Sequence, residues 1–156
     1  SVGKHDLVKD VLIQLGMKLI FWKVAMRPGK PLIFGKLNKT LILGFPGNPV
    51  SAFVSSIIFA KPLIFKLLKL NYKDEVKKGI ITKNLNKNDE RQEYLRAKIS
   101  YKNNTYSASP LSAQDSSMSL VLSKANGLIV RKAYAPKSKK GDTVSIILFS
   151  DLHSNI

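Results

Sequence analysis

One short segment, Gly44-Phe45-Pro46-Gly47-Asn48-Pro49, constrains its surroundings more than any other, because with two Gly and two Pro in six residues neither a helix nor a strand can run through it. The apolar run Thr40-Leu41-Ile42-Leu43 must therefore end there as a strand. A new element must start after it. Pro49 suits a helix's first turn, where its missing N–H costs nothing, and the residues from Val50 to Leu70 carry small side chains early (Ser51, Ala52, Ser55, Ser56) and apolar ones later (Ile57, Ile58, Leu63, Ile64, Leu67, Leu68). A long helix is predicted, kinked at Pro62. A second punctuation, Arg27-Pro28-Gly29-Lys30-Pro31, ends the β-branched and aromatic run Lys18 to Val24 in the same way.

Other elements follow from periodicity. Asp6 precedes Leu7, Val8, Val11, Leu12 and Leu15, a helical stripe that stops at Gly16. Leu32-Ile33-Phe34 and Thr40 to Leu43 flank Gly35 to Lys39 as two strands around a turn. This order suggests the closing half of an α/β layer whose earlier strands lie upstream. Composition turns polar at Asn71 to Lys78, and beyond it apolar residues alternate. Strands are predicted at Gly79 to Leu85, Glu93 to Tyr101, Thr105 to Ala108, Leu128 to Val130 and Thr143 to Leu148, with a turn at Asn103-Asn104 and a short helix over Ser116 to Ala125. The fold expected is α/β followed by all-β: residues 1–72 as part of an α/β domain, residues 73–156 as a small antiparallel barrel or sandwich.

The chain's 156 residues include no Cys, which removes thiol nucleophiles, Cys-ligated metal and disulfides, and fits a reducing compartment. Its uninterrupted apolar runs are short and broken by Lys61 and Lys66, so no bilayer span is expected. The first residues lack a signal-peptide pattern and an initiator Met, which suggests part of a longer polypeptide. A net charge of +16 raises nucleic-acid binding. Distribution argues against it: the excess is +9 over residues 1–72 and +7 over 73–156, and 22 of 26 cations are Lys rather than the Arg that reads base edges. No specific nucleic-acid partner is expected.

The two Pro/Gly loops carry the densest chemical signal, since ligands of α/β sheets bind at strand ends. Lys23, Arg27 and Lys30 place positive charge on a backbone stiffened by Pro28 and Pro31, a set that could grip an oxyanion. Residues Pro46 to Pro49 stand at the positive end of the long helix, where backbone N–H groups favour anions. Periodicity alone favours reading both loops as plain tight turns, with Lys23 on a solvent face. Asp6 reads as a helix N-cap or as a carboxylate for Mg²⁺. His5 and His153 have no companion at metal-ligand spacing. Ser116 or Ser117 caps a helix or reaches a phosphate.

These residues resemble a known family. Ser1-Val2-Gly3, Asp6, the run Phe21 to Pro31 (FWKVAMRPGKP), the run Gly44 to Ser51 (GFPGNPVS), and Gln114 with Ser116 through Ile129 look like molybdopterin molybdotransferase, the MoeA family that includes the gephyrin E domain. The resemblance implies the C-terminal part of the molybdopterin-binding α/β domain followed by a small β-barrel. It also implies a Mg²⁺-dependent enzyme of molybdenum cofactor biosynthesis. Such an enzyme moves molybdenum from molybdate to adenylylated molybdopterin, releases AMP, and works as a cytoplasmic homodimer. Carried over by position, Lys23, Arg27 and Asp6 become active-site residues, with Asp6 the metal ligand. Pro46, Gly47, Asn48 and Pro49 shape the pocket, and Ser116 contacts substrate from the barrel. Lys30 joins them on electrostatic grounds. Because the acidic residues of the family's upstream part are absent, the isolated chain is expected to be inactive. The alternative is a non-catalytic protein-interaction module of the gephyrin kind.

Overall fold

The structure, a computed structural model, describes residues 7–73, 76–112 and 119–150. It divides into two compact units, Ser1–Leu70 and Asn71–Ile156.

In the first unit, helix α1 (Val8–Gln14) leads into strand β1 (Lys18–Trp22), a two-residue strand β2 (Met26–Arg27), strands β3 (Ile33–Leu37) and β4 (Thr40–Gly44), and then helix α2 (Pro49–Ser55). The chain turns left-handed at Gly16 after α1. The N-cap position of α1 falls on Leu7, which has no side-chain acceptor to offer. β1, β3 and β4 form an antiparallel sheet in the order β1-β3-β4. The β3–β4 turn is only Asn38-Lys39, tighter than the five-residue turn expected. Gly35 belongs to the strand because a Cβ there would lie 2.7 Å from Met17 Sδ and 2.9 Å from the Lys18 carbonyl oxygen. The missing side chain lets Met17 pack into the sheet.

The long helix continues from α2 through one π-helical turn, Ser56–Ala60, into α3 (Lys61–Leu67). The expected kink at Pro62 is taken up there: proline has no N–H for the Ile58 carbonyl and its ring crowds that group, and a widened turn relieves both. The whole run, Pro49–Leu67, is 19 residues, long and apolar enough by length and composition to cross a bilayer. The unbroken apolar runs within it are shorter, divided by Lys61 and Lys66. One face packs on the sheet: Val50 and Val54 are buried, and the Phe59 ring lies 6.1 Å from that of Phe21.

The second unit is a closed five-stranded barrel. Its strands are β5 (Val76–Ile81), β6 (Gln92–Lys102), β7 (Thr105–Pro110), β8 (Gly127–Arg131) and β9 (Thr143–Leu148), with α4 (Ser119–Lys124) between β7 and β8. The order β6-β7-β5-β9-β8 is closed by pairing of β6 with β8. One pair departs from the antiparallel expectation: β5 runs parallel to β7, because the chain makes a long excursion between β5 and β6. Asn103 and Asn104, at φ 49° and 57°, make the two-residue turn that right-twisted hairpins favour. Ile81, Leu95, Ala97, Ile99, Ala108, Ile129, Val144, Ile146 and Leu148 fill the interior.

Asn126 stitches the barrel where α4 returns to it: its side chain accepts from Ile99 N–H at 2.6 Å and donates to the Ile99 carbonyl at 2.8 Å. Gly127 follows, and a Cβ there would meet Ile99 Cδ1 and stand 2.6 Å from the Ile147 carbonyl oxygen. Backbone cannot move aside as a side chain can. Gly127→Ala is therefore expected to lower the barrel's unfolding free energy by roughly 1–3 kcal/mol, read from urea unfolding; an unchanged midpoint would contradict this packing.

Candidate functional site

The sheet register places both Pro/Gly loops at one end of the first unit. Trp22, the last residue of β1, pairs with Ile33, the first of β3, and Ile33 pairs with Gly44, the last of β4. Residues 23–32 and 45–48 thus leave from a single row of strand ends, as ligand loops of α/β proteins do.

The first loop is held by its own backbone. Lys23 N–H donates to the Leu32 carbonyl at 3.1 Å, and Val24 N–H to the Lys30 carbonyl at 2.9 Å. Its base is anchored on the long helix, since a Cβ on Gly29 would stand 2.7 Å from Ser55 Oγ. Gly29 has φ +116° as well, so both conformation and space demand glycine there. Pro28 and Gly29 are buried, Arg27 is half-buried, and Lys23 and Lys30 stand in solvent. Lys23 has φ 66°, a conformation costly for a residue with a Cβ, imposed where β1 ends. Its ammonium lies 3.9 Å from the centre of the Trp22 ring.

The second loop does something different from what was expected. Asn48 is the N-cap of α2, its side-chain oxygen accepting from Ser51 N–H at 3.1 Å, and Pro49 has no N–H to give. The helix start is thereby capped from within, and the backbone cradle expected at Pro46 to Pro49 is correspondingly narrower. Pro46 is buried and shapes the loop, while Gly47 and Pro49 are exposed. The cations of the candidate site, Lys23, Arg27 and Lys30, all lie on the first loop.

Asp6, Ser116, Ser117, His5 and His153 lie outside the described residues. Among the described residues no three His, Asp or Glu side chains gather at one point. Mg²⁺ requires a set of oxygen donors, whereas the loop offers Lys23, Arg27 and Lys30. The described residues do not supply that donor set, and the charge of the loop is of the sign that suits an anion. One residue without any local sequence signal joins the site: Lys9 of α1 brings its ammonium to 4.8 Å from the Trp22 ring centre. A lysine on an amphipathic helix looks like any solvated cation until the fold sets it beside an indole.

Two family models match the chain: "Probable molybdopterin binding domain" over residues 1–66 and "MoeA C-terminal region (domain IV)" over residues 78–149. The molybdopterin molybdenumtransferase of Haemophilus influenzae is 51% identical over 67 residues, 43% of this chain and 16% of that protein. Its Bacillus subtilis counterpart is 29% identical over 152 residues, 97% of this chain and 35% of that protein. The chain therefore spans a minor part of the length of these relatives. A molybdopterin biosynthesis moeA protein of Pyrococcus horikoshii shares the fold with a TM-score of 0.78 at 23% identity, over 93% of this chain and 35% of that one.

Proposed function

This chain belongs to the MoeA family, and on that premise we propose that the protein to which it contributes inserts molybdenum from molybdate into adenylylated molybdopterin, releasing AMP. The observation that carries the reading is the single row of strand ends, Trp22, Ile33 and Gly44, from which both loops depart. Lys23, Arg27 and Lys30 supply the positive charge that phosphate and molybdate require, on a backbone that reorganises little when they bind. A fixed cationic loop stabilises negative charge better than mobile surface lysines, because its ordering cost is met during folding. Pro46 and Asn48 hold the neighbouring loop and the helix start in place. The family resemblance adds a cytoplasmic homodimer and Mg²⁺, whose ligands the described residues do not supply.

The test is an in vitro assay of the full-length protein with adenylylated molybdopterin, molybdate and Mg²⁺, following AMP by chromatography and molybdenum on the pterin by mass spectrometry. AMP release that depends on molybdate is expected. A well-folded full-length protein that releases none would overturn the reading.

A further inference from the structure

Trp22 has two ammonium groups on it. Lys23 Nζ lies 3.9 Å and Lys9 Nζ 4.8 Å from the ring centre, which bounds their separation at about 9 Å. Each distance is within cation–π reach. Lys9 comes from α1 and Lys23 from the exit of β1, so two separate elements deliver like charges to one indole. Like charges brought together repel, and a compact anion between them removes the repulsion. Lys9 is unusual for a helix-surface lysine. Its side chain is only 21% exposed and its ammonium is also paired with Asp10. Lys23, for its part, is held in place by a left-handed backbone.

We propose that Lys9, Lys23 and Trp22 form one receptor for a tetrahedral dianionic oxyanion, with Lys9 as its second cation and Asp10 as the carboxylate the anion displaces. The proposal rests on the functional reading of Lys23 given above and extends it to a residue of α1. The indole sets the spacing of the two ammonium groups, and their flexible four-carbon stems let both swing onto the anion. Asp10 keeps Lys9 neutralised until the ligand arrives. Molybdate and a phosphate monoester share the chemistry that the site would bind.

Trp22 is the chain's one tryptophan, so its fluorescence reports the site directly. The 156-residue chain is titrated separately with sodium molybdate, inorganic phosphate and AMP, with sodium chloride at matched ionic strength as control. Saturable change in Trp22 emission is expected with at least one tetrahedral oxyanion and not with chloride. A response confined to molybdate identifies the metal oxyanion as the ligand, and one shared with AMP and phosphate identifies the phosphate group as a ligand too. Lys9→Met, which keeps the apolar stem, is expected to raise the half-saturating concentration about tenfold, Lys9→Arg to restore most of the affinity, and Asp10→Asn to lower that concentration. Circular dichroism melts verify that each variant folds. If Lys23→Met abolishes the response while Lys9→Met leaves it unchanged, the role of Lys9 is refuted and the reading of Lys23 stands. If chloride reproduces the response, or the folded wild-type chain responds to no oxyanion, both fail.

Discussion

Lys23→Ala in the full-length protein is expected to lower kcat/KM for molybdenum insertion by roughly 100- to 1,000-fold, the range seen when one preorganised charge-stabilising donor is removed. The fold should be indifferent to the change. Lys23 is exposed, and its backbone conformation at φ 66° is equally strained for either residue, since both carry a Cβ. An unaltered thermal midpoint together with collapsed activity would locate the defect in chemistry. Lys23→Arg should recover part of the rate: the charge remains, but a planar fork replaces a point donor on a short tether to Trp22. Activity within threefold of wild type for the Ala variant would show that this cation does not face the reacting anion.

The largest expected effect on stability belongs to the barrel. Arg131 is 5% exposed, and its guanidinium donates to the carbonyls of Asn86, Ala135 and Pro136 and faces Glu93 at 3.9 Å. Burial lowers its pKa, and the Glu93 carboxylate opposes that shift. Together with Asn88, which donates to the carbonyls of Arg91 and Lys132, it clasps the excursion after β5 to the loop before β9. Arg131→Ala would leave Glu93 and the carbonyls without this donor in a poorly hydrated place, at a cost of about 3–5 kcal/mol. In a domain this small that is a drop in melting temperature of roughly 12 °C or more. Amide exchange across β5, β6 and β8 would register it. Arg131→Lys should recover little, because one ammonium cannot span carbonyls on three residues. A loss below 1 kcal/mol would mean that the clasp is decorative.

Much of this architecture is legible from residue order. Pro and Gly exclude regular structure locally, so both loops and the Asn103-Asn104 turn can be placed without any knowledge of tertiary contacts. Alternation likewise marks the strands of the second unit. Other features depend on long-range packing. Gly35 reads as turn material until Met17 is seen to occupy the space of its absent side chain. Pro62 announces a disturbance but not its form, since a kink and a π turn answer the same missing hydrogen bond. At the site, Lys23, Arg27 and Lys30 stand out as cations in a rigid loop. Asn48 conceals its capping duty, and Lys9 gives no sign of its neighbour because that neighbour is 13 residues away along the chain. Partnership of that kind is written in three dimensions only.

The pairing of β5 with β9, Val76 against Ile147, joins the first strand of the barrel to its last. A nascent chain leaving the ribosome can complete the β6–β7 hairpin as soon as residue 110 has emerged, yet the ring stays open until residue 148 is released. Throughout that interval the apolar inner faces of four strands await their final neighbour. Stalled or prematurely ended translation anywhere in the closing stretch would therefore yield an open, sticky sheet in place of a smaller barrel.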